Sequence, residues 1–274
     1  MNAPLTADTS PLRLDRLDRL DGGLLRVTLV DAKRRNALSM RMIDALERAI
    51  AEAGADPAVR VVIIAAEGPA FCAGHDLKEL TAARAGADRG RAFFDETMTS
   101  CARLMTSIVR CSKPVIAEIA GVATAAGCQL VASCDLAVAA EGASFATPGV
   151  HIGLFCSTPM VALSRNVAPK HAMEMLLTGT TIGATDAARM GLVNKVVPAD
   201  RLAAETEALA LLIASKSPLT LKFGKEAFYA QRELDLDGAY AHAARVMVEN
   251  MLARDAEEGI SAFIEKRHPV WEGR

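Results

Sequence analysis

Apolar and polar positions along this chain recur with two different periods, and the changes between them lay out its elements. From Gly23 the run LLRVTLV alternates as a first strand, and Asp31 to Asn36 makes a charged turn. Ser39 is placed to cap an amphipathic helix, MRMIDALERAIAEAGAD, with Met40, Ile43, Leu46 and Ile50 on one face. Val61 to Ala66 is an unbroken apolar run of strand length. It leads into small residues, Ala73 and Gly74, and then a charged helix opening at Asp76. Thr81 to Gly90, rich in alanine, glycine and charge, reads as a mobile connection to a long helix from Arg91 to Arg110. Lys113 to Gly121, KPVIAEIAG, is a short strand ending at glycine, after which Ala123, Ala125, Ala126 and Gly127 open an apolar helix containing Gln129. Asp135 to Ala140 is a further strand, and helical patterns follow at 170–177, 184–190, 203–215, 219–231, 238–252 and 256–267. Strands alternating with helices predict an α/β core.

Two of these strand-to-helix turns carry candidate chemistry. The first turn of a helix has N–H groups without intrahelical partners, and its dipole favours negative charge. Two such turns in one chain, at 73–76 and 123–127, can each aim one N–H at the same oxygen and form an oxyanion hole. The alternative is close packing alone, since alanine and glycine let backbones approach.

Composition narrows the classes. The chain has 274 residues, enough for one large domain with an appendage. A formal net charge of −2 offers no basic surface for nucleic acid, and no apolar run reaches the roughly 18 residues of a membrane span. Six cysteines without C-x-x-C spacing read as reduced, buried small hydrophobes. Cys72 and Cys128 fall inside the two turns, so a nucleophilic role is weighed against burial. Five histidines show no metal-binding pattern. Near the start, RLDRLDRLD lacks the apolar centre of a signal peptide, and its regular aspartates argue against a transit peptide. The expectation is a mobile or edge-pairing arm and a cytoplasmic location.

FCAGHDLKEL, together with GVATAAGCQLVASCDLAVAAEGASFATPGVHIGL, resembles the crotonase (enoyl-CoA hydratase/isomerase) superfamily, and the likeness runs from about Leu24 to Trp271. Among its members the chain is most similar to the subgroup of enoyl-CoA hydratase domain-containing proteins. The resemblance implies a spiral of ββα units in a core over 23–198, preceded by an arm over 1–22. A C-terminal α-helical region over 199–274 would assemble a homotrimer or a hexamer of two trimers. It implies an acyl-CoA substrate, with no cofactor or metal beyond coenzyme A itself. The oxyanion-hole donors would be the backbone N–H groups of His75 and Ala126. Ala73, Asp76, Leu77 and Lys78 would lie along the coenzyme A site. Lys33, Arg34 and Arg35 would meet its phosphates and adenine, unless they form only a solvated loop.

Hydration of an enoyl thioester needs groups that take and deliver protons. The positions of the two family glutamates are Gln129 and Gly149 here, and neither titrates. His151, two residues past Gly149, shares its face if the segment is a strand. It is a replacement acid–base candidate or a buried structural histidine, with Glu118 and Asp135 as weaker candidates. Three functions remain open: a hydratase or isomerase with a relocated acid or base, a thioester hydrolase or decarboxylase, and an acyl-CoA-binding oligomer with little turnover.

Overall fold

The computed structural model describes residues 10–17 and 23–274. Strand β1 (Leu12–Arg16) pairs antiparallel with β2 (Leu24–Leu29), which is followed by α1 (Met40–Ala55). Ser39 Oγ caps α1 by accepting from the Met42 N–H, as its position before the apolar stripe predicts. The expected arm is therefore an edge strand over 12–16. The rest of the arm, including the end of the RLD repeat, lies outside the described residues.

Three ββα units follow in order. β3 (Val61–Ala66) and β4 (Ala70–Cys72) lead to α2 (Leu77–Ala83) and α3 (Arg91–Arg110); β5 (Val115–Ile119) and β6 (Val122–Thr124) lead to α4 (Ala126–Ser133); β7 (Leu136–Ala140) and β8 (Ser144–Ala146) lead to α5 (Ser157–Leu163). The first strand of each unit joins one sheet and the second joins another. β3, β5 and β7 are parallel neighbours in the larger sheet, and β4, β6 and β8 are parallel neighbours in the smaller one. This is the expected crotonase-type spiral. The chain continues through α6 (Pro169–Thr178), β9 (Ile182–Gly183), α7 (Ala184–Met190), β10 (Lys195–Val197), α8 (Leu202–Ala214), α9 (Pro218–Gln231), α10 (Leu236–Leu252) and α11 (Arg254–Glu265).

The larger sheet is buried on both faces, which is why its strands read as unbroken apolar runs. Val115, Ala117 and Ile119 face the main core with α1 and α3, whereas Ile116 faces the second core beneath α8. Glu118 shares the Ile116 face, where Arg26 pairs with it and with Glu207 of α8. It points away from the strand-to-helix turns and is no acid–base candidate for them.

Asp135 has a structural role. Its carboxylate accepts from the Val115 N–H at 2.7 Å, Lys225 Nζ at 2.7 Å and Tyr229 Oη at 2.9 Å. Lys225 also donates to the carbonyls of Ile108 and Lys113, so this one ammonium fastens α9 to the core. Burial raises the Asp135 pKa against the opposing pull of Lys225.

Three differences from the sequence reading matter for the site. The short strands β4, β6 and β8, and helix α5, were not anticipated. The segment Thr81–Gly90 is partly helical, and the Asp88 carboxylate fastens its end by accepting from the Gly90 and Ala92 N–H groups. Pro148–Ile152 is a 3-10 helix with proline at its start, not a strand.

Candidate active site

β4, β6 and β8 run parallel, so their carboxyl ends lie on one side of the smaller sheet. From them emerge the turns holding Gly74 and His75, Ala125 and Ala126, and Thr147 to Gly149. This end of parallel strands is where α/β folds gather ligand-binding groups.

The first two turns touch. A β-carbon on Gly74 would stand 2.9 Å from Ala125 Cβ and 3.3 Å from Ala126 N, and the left-handed φ of 87° at Gly74 is one a glycine adopts freely. At Gly127 a β-carbon would lie 2.1 Å from the Cys72 carbonyl oxygen, so only glycine lets α4 press against β4. The small residues thus let the two turns and their backbones approach closely.

Both candidate amides are left unpaired. Leu38 pairs with His75 as a parallel bridge, with the Leu38 N–H donating to the Gly74 carbonyl at 2.7 Å and the Asp76 N–H donating to Leu38 at 3.3 Å. That pattern turns the N–H of His75 itself to the opposite side. Ala126 is the first residue of α4, so its N–H has no intrahelical acceptor. Among the described residues neither N–H has a partner. Ala125, just before it, holds φ 50° and ψ −119°, a strained conformation for alanine that sets the direction of the next amide.

The basic turn packs against the first of these loops. The Ala73 N–H donates to the Arg35 carbonyl at 3.1 Å, and Arg34 Nη1 lies 3.9 Å from Asp76 Oδ2. Asn36, fully buried, donates from Nδ2 to the carbonyls of Glu67 and Ala70 and so fixes the turn. The side chains of Lys33, Arg34 and Arg35 remain exposed. Asp76 is the α2 cap, accepting from the Lys78 and Glu79 N–H groups, while Leu77 and Lys78 face outward. Asn36 was missed in the sequence, although an asparagine closing a charged turn is a recognisable signal for left-handed backbone.

His75 is half-buried, with both ring nitrogens sealed from solvent and neither hydrogen-bonded, and the loss of solvation holds its pKa below the ordinary histidine value. Gln129 is buried, and its Oε1 faces the Cys101 thiol at 3.9 Å. A cavity of about 820 Å³ opens beside it between α3, α4, α5 and α9, lined by Met105, Ala132, Val161 and Tyr229 among others.

The third turn differs from expectation. Gly149 is buried, and a β-carbon there would meet the Leu154 carbonyl at 2.8 Å and Cys156 Sγ at 2.9 Å. The chain after the turn folds onto the space a glutamate would enter. His151 is exposed rather than buried, and the 3-10 helix removes the argument that it shares a strand face with Gly149. Its ring lies over Gly179 at the end of α6. Nothing in the sequence marked Cys156, because its approach to Gly149 depends on how the intervening loop closes.

Cys72 and Cys128 are fully buried, and burial pushes both thiols up to about 12, which removes them as nucleophiles at neutral pH.

The split sheets and the convergent turns define a crotonase-type acyl-thioester fold. The enoyl-CoA hydratase/isomerase family model matches residues 19–274, and the chain belongs to that family. It is similar to the mitochondrial enoyl-CoA hydratase domain-containing protein 3 of Xenopus laevis, with 50% identity over 91% of this chain and 83% of the relative. The Homo sapiens protein of that name is 48% identical over 91% and 80%. The crystal structure of human enoyl Coenzyme A hydratase domain-containing protein 3 superposes with a TM-score of 0.89 at 46% identity, covering 95% of this chain and 100% of that one. An enoyl-CoA hydratase from Mycobacterium smegmatis gives 0.90 at 47% identity, covering 95% and 98%.

These relatives overturn the expectation of a cytoplasmic location, since the domain-containing proteins it resembles are named as mitochondrial. The expectation rested on the lack of an apolar leader and on the regular aspartates of the N-terminal stretch, and neither feature specifies a compartment.

Proposed function

We propose that this chain binds an acyl-CoA thioester and polarises its carbonyl between the N–H groups of His75 and Ala126, and that it does not hydrate enoyl-CoA by the two-glutamate route. The carrying observation is the contact of the two turns, each of which holds one amide without a partner among the described residues. Negative charge developing on the thioester oxygen would be met by both donors and by the amino end of α4. The basic turn packed on Ala73 and Asp76 supports a place for the phosphates of coenzyme A near Lys33, Arg34 and Arg35. Coenzyme A enters as part of the substrate, and the proposal needs no other cofactor.

Apolar side chains left exposed on α10 and α11, including Tyr240, Met247, Met251, Leu252 and Phe263, support assembly into a homotrimer or hexamer.

A second reading, acyl-CoA binding without turnover, is favoured by Gln129 and by the closed space at Gly149. Infrared difference spectra of bound butyryl-CoA, carbon-13 labelled at the thioester carbonyl, test the polarisation. The expected result is a carbonyl stretch shifted to lower frequency, and an unshifted stretch in the bound thioester rejects the oxyanion hole. Loss of the conjugated absorbance of crotonyl-CoA, whether by hydration or by thioester cleavage, supports turnover, and its persistence with the thioester bound supports the second reading.

A further inference from the structure

Gln129 presents a hydrogen-bond donor where a carboxylate would present only acceptors. Its Oε1 is faced by the Cys101 thiol at 3.9 Å, and that thiol is itself fully buried. Its Nε2 has no hydrogen-bond partner among the described residues, yet it is absent from the sealed, unpartnered atoms of the core. The residue is 4% exposed and lines the cavity, so this amide nitrogen opens on that space.

Its position relative to the thioester follows from helix geometry. Gln129 is three residues after Ala126 on α4, about 4.5 Å further along the axis, and helical side chains lean back toward the amino end. That lean carries the side chain toward the turn that begins with the Ala126 N–H, from a residue that also lines the neighbouring cavity. On the acyl-CoA reading above, an acyl chain whose carbonyl oxygen rests on that N–H would run its third carbon toward Gln129. On the opposite side, Cys156 Sγ and the Leu154 carbonyl fill the place beside Gly149, so that wall supplies no competing carboxylate.

We propose that Gln129 selects acyl thioesters with an acceptor-only oxygen on C3, either the ketone of a 3-oxoacyl group or the carboxylate of a malonyl group. The inference rests on the acyl-CoA reading above and names the substrate class of the same site. A glutamate at this position would repel such an oxygen, whereas the glutamine N–H donates to it. A saturated or enoyl chain leaves that donor unpaired in a water-poor pocket, which weakens its binding.

The test is calorimetric titration of the full chain with acetoacetyl-CoA, malonyl-CoA and butyryl-CoA, repeated with Gln129→Met and Gln129→Glu. The wild type is expected to bind at least one oxygenated thioester about fivefold more tightly than butyryl-CoA, the yield of one net hydrogen bond. Preference for acetoacetyl-CoA assigns the ketone and preference for malonyl-CoA assigns the carboxylate. Gln129→Met should abolish the preference by weakening the oxygenated thioester while butyryl-CoA binds as tightly as before or more tightly, and Gln129→Glu should reverse it. Equal wild-type binding of all three overturns this inference and leaves acyl-CoA binding standing. A uniform weakening by Gln129→Met overturns it as well, since that marks a packing role. Failure of every thioester to bind rejects the acyl-CoA reading itself.

Discussion

Cys156 Sγ lies 2.9 Å from the point that a β-carbon on Gly149 would occupy, so the third strand-to-helix turn is closed by the chain that follows it. The Leu154 carbonyl, a backbone group that cannot swing aside, lies 2.8 Å from the same point. Restoring a glutamate here is therefore a packing problem before it is a catalytic one. Gly149→Ala is expected to cost about 1–3 kcal/mol, measured by urea denaturation. Gly149→Glu alone should create no crotonyl-CoA hydration. A Gly149→Ala variant as stable as the wild type would show that the loop over the turn yields easily.

Gly127 sets the distance between the first two turns. With the Cys72 carbonyl 2.1 Å from its absent β-carbon, Gly127→Ala must push α4 away from β4. The expected loss is at least about 1–3 kcal/mol, with acyl-CoA binding weakened. Gly142→Ala, where nothing lies within 4 Å, is the matched control and should be neutral or slightly stabilising. Equal thermal shifts in the two variants would contradict the close approach.

Burial of His75 links stability to pH. Its folded-state pKa is lowered from 6.5 chiefly by burial, so the unfolded chain takes up the proton first on acidification. This contribution is fully present above about pH 6.5 and is lost as the pH falls toward the depressed folded value. Melting temperatures followed from pH 7.5 to pH 5 should fall more steeply for wild type than for His75→Gln. Parallel curves would show that the ring is solvated.

The Lys225–Asp135 pair holds α9, one wall of the cavity. The two side chains are 7% and 16% exposed, and Lys225→Met leaves a carboxylate largely buried without its cation. The expected cost is about 3–5 kcal/mol, and the double variant with Asp135→Asn should recover part of it. Additive losses in the double-mutant cycle would mean that the two groups act independently.

The long amphipathic helices were legible because their apolar stripes repeat over several turns. α1 begins after Ser39 as expected, with Ile43, Leu46 and Ile50 buried. β4, β6 and β8 escaped notice because three residues are too few to show a period, and Val122–Thr124 was absorbed into the small-residue run opening α4. The two turns were legible from glycine and alanine beside a strand end, and the family resemblance singled out one amide in each. The partners that define their surroundings were not. Cys101, Cys156 and Tyr229 reach the site from α3, the loop before α5 and α9, and contacts between segments so distant leave no local pattern. His151 shows the opposite error: proline starts a 3-10 turn at Pro148, which carries the histidine to the surface.

Because β4, β6 and β8 are hydrogen-bonded neighbours, the turns at their ends recur at the strand spacing of about 4.8 Å. The spiral works as a graduated scale, with one mark contributed by each ββα unit. His75 stands on the first mark, Ala126 and Gln129 on the second, and Gly149 with Cys156 on the third. Each mark follows its own strand, the second at the start of α4 and in contact with the first. A chain built this way fixes by its strands where its groups stand, so a side chain exchanged at one mark changes the chemistry offered there and not the spacing.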